Sequence, residues 1–476
     1  MRVAIGLTPT DAGIGSIVGL LQQESLARFG QDGRALPSLA ERWETSADGL
    51  SWRFYLRPGL KFQNGATLDA SHVVAGLRRA LGSGSMFGGL REVTGIEAIG
   101  PLSFEIRLRR PSSILIDALC SNSSIVSADG VPSGLFRVIS RDKDSARLEA
   151  FTADTRPRSN VDQVDVRIYP SARNAWSAMM RGEVDVLYDV SPEALEFIEQ
   201  SSQMQLKSFL RPYVYLLGFN LRHPVLRTRE VRQALNAAVN RDDIVKTVFR
   251  GRGMPAKGPV WPRSWIYDEQ LPPFPYAPNE AQRLLETAGR PMTRSTDLHM
   301  PSRLRFTCLL PIGDRYERMG LMLQRQLADA GIDMQLEPVP VLSMSTRLQS
   351  GQFDAFLFET ASSSLAWTDT FWHSPDMPGG AMMDNGYTGA DKVLDRVRLA
   401  RTDEELRSAA LDLQRVMRDD PPAVFICWRE TARAVSTRFA LPAVTDRDII
   451  KTLPRWQLVG RPGSPVIPTP TAATAP

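Results

Sequence analysis

One stretch of the sequence combines a helical pattern with a strand pattern and so restricts the class of fold. Between residues 314 and 331, apolar side chains recur at every fourth position and predict one buried helix face: Met319, Leu323 and Leu327. Gly331 ends this helix, and apolar and polar residues alternate over 332–337, as in a strand with one buried face. A second apolar run follows at 353–358. Strands joined by helical crossovers predict an α/β fold.

Other helix starts carry residues whose side chains suit the N-cap position. We predict side-chain caps at Asp69, Ser171 and Thr228, and a capping box formed by Asp314 with Glu317. Trp43 and Trp52 flank an Asp-Gly turn between two extended runs, which predicts a β-hairpin with both rings in its core.

The length of the chain indicates more than one lobe. Its 476 residues exceed the roughly 250–300 at which a single core stops growing. Lys and Arg number 57 against 53 Asp and Glu, and the basic residues are scattered rather than clustered, which argues against nucleic acid as a partner. No window approaches the roughly 20 apolar residues of a membrane span. Residues 461–476 are rich in Pro, Thr and Ala, and we expect a disordered tail there.

Nothing in the sequence indicates catalysis. The three cysteines, Cys120, Cys308 and Cys427, are far apart, so we expect buried thiols and neither disulfides nor a metal motif. The four histidines lack the spacing of metal ligands, although His373 could reach a metal–chelate cargo. A glycine-rich stretch, 13–19, could suggest a dinucleotide site, but Pro37 interrupts the expected second strand. We expect no enzyme activity, no cofactor and no bound metal.

Short motifs along the chain, in a fixed order, resemble family 5 of the extracellular solute-binding proteins, which includes dipeptide, oligopeptide and nickel binders. They cover essentially residues 1–460, and their order makes the resemblance specific, although each alone carries little information. The segments are Ala35–Trp43, Asp48–Leu50, Leu56–Phe62, Gly134–Phe136, Gly182–Asp185, Leu217–Asn220, Val231–Asn236, Asn240–Asp242, Glu280–Gly289, Gly351–Ala355 and Asp420–Pro422.

The resemblance implies an α/β, two-lobed periplasmic-binding-protein type II fold with an extra subdomain on the first lobe. Its boundaries would be 1–218 plus 430–460 for lobe I, with 31–159 as the inserted subdomain, and 219–429 for lobe II. The lobes would close over a ligand.

The function implied by the resemblance is solute capture for an ABC importer. The protein would bind a peptide or a related small solute and deliver it to membrane permease subunits; the alternative is a non-transport peptide-binding sensor or chaperone on the same fold. We expect a monomer in the periplasm, with no nucleic acid and no membrane insertion. Met1 leads into an apolar run too short for a signal peptide, so the signal was trimmed, the start lies upstream, or the protein is not exported.

Two departures from the family pattern bear on the cargo. Ala150–Arg156 replaces the usual Asn-Pro-x-Tyr-Trp stretch. Peptide-binding members also carry an acidic residue after the Phe-Asp strand, which pairs with a peptide's amino terminus. Glu359 is the one candidate for that role here.

Candidate ligand-binding residues combine aromatic surface with hydrogen-bonding groups. The irregular-looking stretch 360–388 concentrates Trp367, Phe371 and Trp372, which either line a cleft or pack in the core. The other candidates come from the loop after the first strand, from the strand leading to Asn220, and from family position, with ordinary turn chemistry as the alternative. The predicted set is Thr8, Thr10, Asn122, Gly134, Tyr213, Asn220, Ser363, Trp367, Trp372 and Asn385.

Overall fold

The structure is a computed structural model. It describes residues 1–7, 13–82, 88–121, 125–153, 155–190, 192–293, 301–374, 383, 385–443 and 447–459. Three predicted ligand-binding residues, Thr8, Thr10 and Asn122, lie outside these residues, as does the predicted tail 461–476.

The described residues contain the following strands and helices. The strands are β1 Arg2–Leu7, β2 Ala27–Phe29, β3 Ala35–Pro37, β4 Ala40–Thr45, β5 Ser51–Leu56, β6 Val93–Gly100, β7 Ser103–Leu108, β8 Phe136–Arg141, β9 Ser145–Ala150, β10 Gln163–Ile168, β11 Val186–Leu187, β12 Met204–Phe219, β13 Gly253–Pro255, β14 Leu304–Pro311, β15 Ile332–Val339, β16 Ala355–Ala361, β17 Ala423–Ser436, β18 Phe439–Ala440 and β19 Gln457–Leu458. The α-helices are α1 Gly13–Gln22, α2 Ala70–Gly82, α3 Leu115–Ser121, α4 Ala172–Met180, α5 Pro192–Glu199, α6 Arg229–Ala237, α7 Arg241–Val248, α8 Pro278–Thr287, α9 Asp314–Asp329, α10 Val341–Gln349, α11 Leu365–Trp372, α12 Asp391–Leu399 and α13 Asp403–Asp419.

The chain forms two compact units. Unit 1 comprises residues 1–23, 134–208 and 432–476, and unit 2 comprises 24–133 and 209–431. The chain passes from one unit to the other within β12 and again within β17.

Unit 1 is built on a sheet of mixed direction. β1 pairs in parallel with β10 and β11, and β9 and β8 continue the sheet beyond β10 in antiparallel order. Alternate residues of β1, Val3, Ile5 and Leu7, are fully buried and pack with Ile17 and Trp456. Because these side chains leave water on one face of the sheet, the unit has its own hydrophobic core.

Unit 2 contains the α/β region that the 314–358 pattern predicted. β14 pairs in parallel with both β15 and β16, and β12 runs antiparallel to β16. The helix α9 connects β14 to β15 and buries Met319, Leu323 and Leu327, the three residues of the predicted stripe. The prediction of an α/β arrangement here is confirmed.

Residues 24–133 pack in unit 2 around a four-stranded antiparallel sheet in the order β4-β5-β7-β6. The β4–β5 hairpin and the burial of Trp52 agree with the prediction, while Trp43 is partly buried. Ser113 N donates to Arg398 O at 2.8 Å, which ties this segment to the rest of the unit. Unit 2 therefore holds most of the segment that we assigned to lobe I as a subdomain; the lobe boundaries themselves stay a prediction.

The three cysteines are buried free thiols, as predicted.

The predicted helix caps are present at two positions and differ from the prediction at two others. Asp69 accepts hydrogen bonds from the backbone of Ser71 and His72, and Ser171 accepts one from Asn174. The capping box at Asp314 is wrong, because Gly313 occupies the N-cap position and Asp314 is already the first helical residue. Thr228 is at its N-cap position but makes no side-chain cap bond.

This contrast yields a prediction about helix caps. Thr402 Oγ1 accepts a hydrogen bond from Glu405 N at 3.1 Å and so caps α13. Replacing Thr402 with alanine should lower the free energy of unfolding by about 1 kcal/mol, because the backbone N–H loses its partner. Thr228→Ala is the matched control and should cost clearly less. Guanidinium unfolding of both variants measures the difference, and equal losses would contradict the assignment.

Candidate functional site

The carboxyl ends of β14 and β16 lie side by side in unit 2, because these strands are parallel. β12 is antiparallel to β16, so that Tyr213 pairs with Ala361 and Tyr215 with Glu359 near the same end. In open α/β sheets, ligands bind outside the carboxyl ends of the strands. We therefore take this end of the sheet, the carboxyl edge of unit 2, as the candidate site.

Charged and aromatic side chains gather at the carboxyl edge. We call this set the edge cluster: Arg211, Tyr213, Tyr215, Arg315, Tyr316 and Glu359. Arg211 Nη1 lies 3.4 Å from Glu359 Oε2, and the Arg211 guanidinium carbon lies 4.6 Å from the centre of the Tyr213 ring. Arg315 Nη1 lies at hydrogen-bond distance from Tyr215 Oη, at 3.4 Å. The cluster thus combines aromatic surface with groups that bind charge.

Tyr316 packs between the rings of Tyr215 and Phe358. Its ring centre is 6.0 Å from that of Tyr215 and 6.0 Å from that of Phe358, with which it stacks. Tyr213 is exposed over 37% of its surface, whereas Tyr215 is fully buried. The edge cluster therefore has a rigid buried base and an accessible rim.

The hydroxyl of Tyr215 lies in an unusual electrostatic environment. Burial raises its pKa to about 12, and the negative charge of Glu359 acts in the same direction. The positive charges of Arg315 and Arg429 oppose this rise. Burial also raises the pKa of Tyr316. Both phenols therefore stay protonated near neutral pH and keep their capacity to donate a hydrogen bond.

The stretch after β16 begins with a helix, so the prediction of an irregular segment over 360–388 is wrong for 365–372, whereas 385–388 form neither helix nor strand. α11 covers 365–372, and its first N–H, that of Leu365, points at Asp117 Oδ2 at 3.2 Å. Periodicity did not reveal this helix because most of its residues are buried on all sides. Ser363 is half-buried in the turn between β16 and α11.

The two tryptophans of α11 have different surroundings. Trp367 is half-buried beside Phe371, with ring centres 6.2 Å apart. Trp372 is 3% exposed and packs edge-on against Tyr387 and Phe425 in the core. Trp367 is therefore the member of this pair with accessible surface.

Two of the predicted polar residues, Asn220 and Asn385, form side-chain hydrogen bonds to backbone groups elsewhere in unit 2. Asn220 Nδ2 donates to Phe353 O at 2.7 Å and to Gly351 O at 3.2 Å. Asn385 is buried, and its Oδ1 accepts from Tyr387 N at 3.0 Å. Asn220 follows the last residue of β12, seven positions from Tyr213, or roughly 20 Å along a strand. The structure does not bring Asn220 to the edge cluster.

Gly134 lies in unit 1, where the backbone of Gln22 approaches it closely. Its N–H donates to Gln22 O at 2.9 Å, and a Cβ at this position would lie 2.4 Å from the Gln22 carbonyl carbon. In the same unit, β1 ends at Leu7, whose carbonyl accepts from Tyr169 N at 2.9 Å. Thr8 and Thr10 follow that strand.

The arginines of the edge cluster were not among the residues predicted to bind a ligand. Arg211, Tyr213 and Tyr215 alternate on β12 and therefore share one face of the strand, a period-two signal that could have been used. Arg315 carried no comparable signal, because its position depends on where α9 begins.

The described part of the chain contains no cluster of three or more metal-ligating side chains. None of its helices is both long and apolar enough to cross a membrane.

Comparison with known proteins supports the resemblance derived from the sequence. The profile of the bacterial extracellular solute-binding proteins, family 5 Middle, matches residues 34–379. The dipeptide-binding protein of Escherichia coli (strain K12) is 27% identical over 341 residues, covering 63% of this chain and 63% of that protein, slightly less than two thirds of its length. The glutathione-binding protein GsiB of Pectobacterium atrosepticum is 25% identical over 454 residues, covering 87% of this chain and 84% of that protein.

Solved structures show the same fold. NikA from Brucella suis superposes with a TM-score of 0.80 at 19% identity, covering 96% of this chain and 100% of NikA. The predicted periplasmic-binding-protein fold is confirmed.

Proposed function

Because the chain belongs to the bacterial extracellular solute-binding proteins of family 5, we propose that it is the solute-binding component of an ABC importer. It captures a peptide or a related small solute and delivers it to the permease subunits. The relatives named above are a dipeptide-binding and a glutathione-binding protein, which supports a cargo of this size.

The observation that supports this proposal is the edge cluster. Sites that bind small solutes combine mostly apolar or aromatic walls with a few polar groups that fix orientation. The edge cluster has this composition: aromatic rings held by packing, two arginines and one carboxylate. Ser363 and Trp367 follow β16 in the chain, and we propose these two residues and the rim residue Tyr213 as ligand contacts.

We further propose that the bound solute is released unchanged. The ionisable groups of the edge cluster are arginines, tyrosines and a carboxylate bound to Arg211, and burial raises the pKa of the Tyr215 and Tyr316 phenols, so neither is a ready nucleophile near neutral pH. The protein would act as a monomer outside the cytoplasm. It would need no cofactor, because capture requires only binding and the importer's ATPases supply the energy for transport.

A ligand screen tests the proposal. The full chain is heated with members of a panel of peptides, opines, sugars and metal chelates, and the unfolding temperature is recorded. A solute at about 100 times its dissociation constant should add about 2.7 kcal/mol to the free energy of unfolding, which gives a measurable upward shift. Mass spectrometry of each hit should recover the solute intact.

Two outcomes would contradict the proposal. Chemical conversion of a hit would indicate an enzyme. If no solute shifts the unfolding temperature and none copurifies with the protein, solute capture is not its function, and a protein partner such as that of a sensor or chaperone becomes the better explanation.

A further inference from the structure

Three of the sequence motifs that the proposed function leaves unexplained meet in unit 2. They are Val231–Asn236 on α6, Asn240–Asp242 at the start of α7, and Asp420–Pro422 before β17. Five side chains of α6 and α7, which we call the donor row, donate hydrogen bonds to the backbone carbonyl groups of every second residue from 419 to 425. Arg229 Nε and Gln233 Nε2 donate to Asp419 O, each at 2.7 Å, Arg232 Nε donates to Pro421 O at 2.9 Å, Asn236 Nδ2 donates to Ala423 O at 3.1 Å, and Arg241 Nε donates to Phe425 O at 2.7 Å.

The donor row fits the spacing of an extended chain. Its members on α6 recur at 229, 232, 233 and 236, so they share one face of the helix. One helical turn rises about 5.4 Å, and alternate carbonyl groups on one edge of a strand lie about 6.6 Å apart. Each turn of α6 therefore meets two residues of the chain that enters β17, and the side chains satisfy carbonyl groups as a neighbouring strand would.

These bonds fix the path of the chain into β17 but not its register. Backbone carbonyl groups are alike in every residue, so Asn236 and Arg241 could bond equally to a strand shifted by one residue. The first six residues, Ala423–Trp428, are apolar and each 0% exposed, so a shift would replace buried apolar side chains with others. The register of β17 therefore needs a contact that distinguishes one side chain from the next.

Arg232 makes such a contact. Its Nη2 donates to the carboxylate of Asp420, and its Nε donates to the carbonyl of the next residue, Pro421. The Arg232 side chain is 3% exposed and that of Asp420 30%, so water screens this ion pair weakly. The remaining Nη1 donates to Leu226 O at 2.9 Å and to Arg227 O at 2.7 Å, which holds the guanidinium group in one orientation.

Two prolines connect Asp420 to the strand. Because Pro421 and Pro422 have a fixed φ, this connection is stiff, and the position of Asp420 constrains that of β17. β17 carries Arg429, whose positive charge acts on the Tyr215 hydroxyl of the edge cluster. A shift by one residue would turn Arg429 to the opposite face of the strand. The register of β17 therefore determines a charge at the candidate site.

From these contacts we propose that the ion pair between Arg232 and Asp420 sets the register of β17, while the donor row holds the strand in its path. Arg232 and Asp420 are positioning residues, which act on the candidate site through β17. The inference gives the three motifs one shared role. It goes beyond the proposed function, because it holds whether or not the chain delivers a solute to a permease.

A disulfide to Cys427 reports the register of β17. Pro255 of β13 pairs with Cys427. The next pair is joined by a hydrogen bond from Ala256 N to Ile426 O at 3.0 Å, so the pair 255–427 is non-hydrogen-bonded, the arrangement in which facing side chains lie closest. In Pro255→Cys, mild oxidation with diamide should therefore form a disulfide with Cys427 in the natural register.

Two further variants serve as shift reporters. Met254→Cys and Ala256→Cys place the new thiol opposite residues 428 and 426, so a disulfide with Cys427 requires a shift of β17 by one residue. Combined with Asp420→Ala, both shift reporters should form this disulfide about 10-fold faster, because loss of a charged hydrogen bond changes an equilibrium by about that factor. Mass spectrometry of the digested protein measures each disulfide over time. Equal rates with and without Asp420→Ala would overturn the inference.

Control variants separate register from general stability. Asp419→Ala removes the neighbouring carboxylate but keeps the backbone carbonyl that the donor row uses, and it should leave the rates unchanged. Arg398→Met breaks the buried ion pair with Asp369, which joins α11 to α12, and should accelerate the shift reporters less than Asp420→Ala does. An equal acceleration in Arg398→Met would assign the effect to unfolding and reject the proposed register contact.

A milder variant keeps the test decisive where Asp420→Ala does not fold, as circular dichroism would show. Asp420→Asn retains an oxygen acceptor for Arg232 without the charge, and it should accelerate the shift reporters by a smaller factor. Unchanged rates in a folded Asp420→Asn variant, with Asp420→Ala unfolded, would equally overturn the inference.

Discussion

Replacing Arg398 with methionine should lower the free energy of unfolding by about 3–5 kcal/mol, as expected when one partner of a buried ion pair is removed. Arg398 Nε and Nη2 donate to the two carboxylate oxygens of Asp369 at 2.7 and 2.8 Å. The Asp369 side chain is 0% exposed, so methionine would leave its charge without a partner or a water molecule. The pair joins α11, which carries Trp367, to α12.

Two further variants make this prediction specific. Arg396, two residues away on α12, forms an exposed pair with Asp412 at 2.9 Å, and Arg396→Met should cost less than about 1 kcal/mol. The double variant Asp369→Leu with Arg398→Met removes both charges and should recover much of the loss. Guanidinium unfolding compares the variants. A cost for Arg398→Met as small as that for Arg396→Met would contradict the importance of this pair.

The loss in Arg398→Met should also depend on pH. Burial raises the pKa of Asp369, and Arg398 opposes the rise. Without Arg398 the folded variant holds a proton on Asp369 more tightly than the unfolded chain does. The unfolded chains of the two proteins titrate alike at this position, so the stability of the variant relative to the natural protein falls as the pH rises from the pKa of Asp369 in the natural protein towards its higher pKa in the variant. The loss should therefore be smaller near pH 5 than near pH 8, values on the order of those over which buried carboxyls titrate.

Gly134→Ala should also destabilise the protein strongly, by about 1–3 kcal/mol or more, the cost of an extra methyl group in a packed site. The new Cβ would lie 2.4 Å from the carbonyl carbon and 2.5 Å from the oxygen of Gln22. These are backbone atoms, which cannot rotate away as a side chain can. Relief of the contact would stretch the 2.9 Å hydrogen bond from Gly134 N to Gln22 O.

Gly19 provides the control for Gly134. It lies within α1 of the same unit, and a Cβ there would meet only the end of the Gln23 side chain, at 3.9 Å. Gly19→Ala should be neutral or stabilising by about 0.5–1 kcal/mol, because alanine favours a helix over glycine. Thermal unfolding distinguishes the two. Similar shifts for both variants would show that the close approach at Gly134 relaxes at no cost. A loss of affinity without a loss of stability would instead favour the direct ligand contact predicted from the sequence.

The candidate site was only partly predictable. Tyr213 could be selected because it lies on the strand that leads to Asn220, and Ser363 because it lies in the aromatic and polar stretch after the apolar run 353–358. Arg315 could not, because it joins Tyr215 only through the packing of α9 on the sheet. Asn220 was selected by its family position, and the structure shows it bonded to the backbone at the other end of β12.

The sequence by itself determined the class of fold, the family and the faces of the longer helices, because period and short motifs are properties of neighbouring residues. Met319, Leu323 and Leu327 are buried as their spacing required. Only the tertiary structure decided that residues 24–133 pack with 209–431 and that Asp369 pairs with Arg398. It also decided that Arg211 forms an ion pair with Glu359. Each of these contacts joins groups that are distant in the chain, and no periodicity in the sequence indicates which charged residues form a pair.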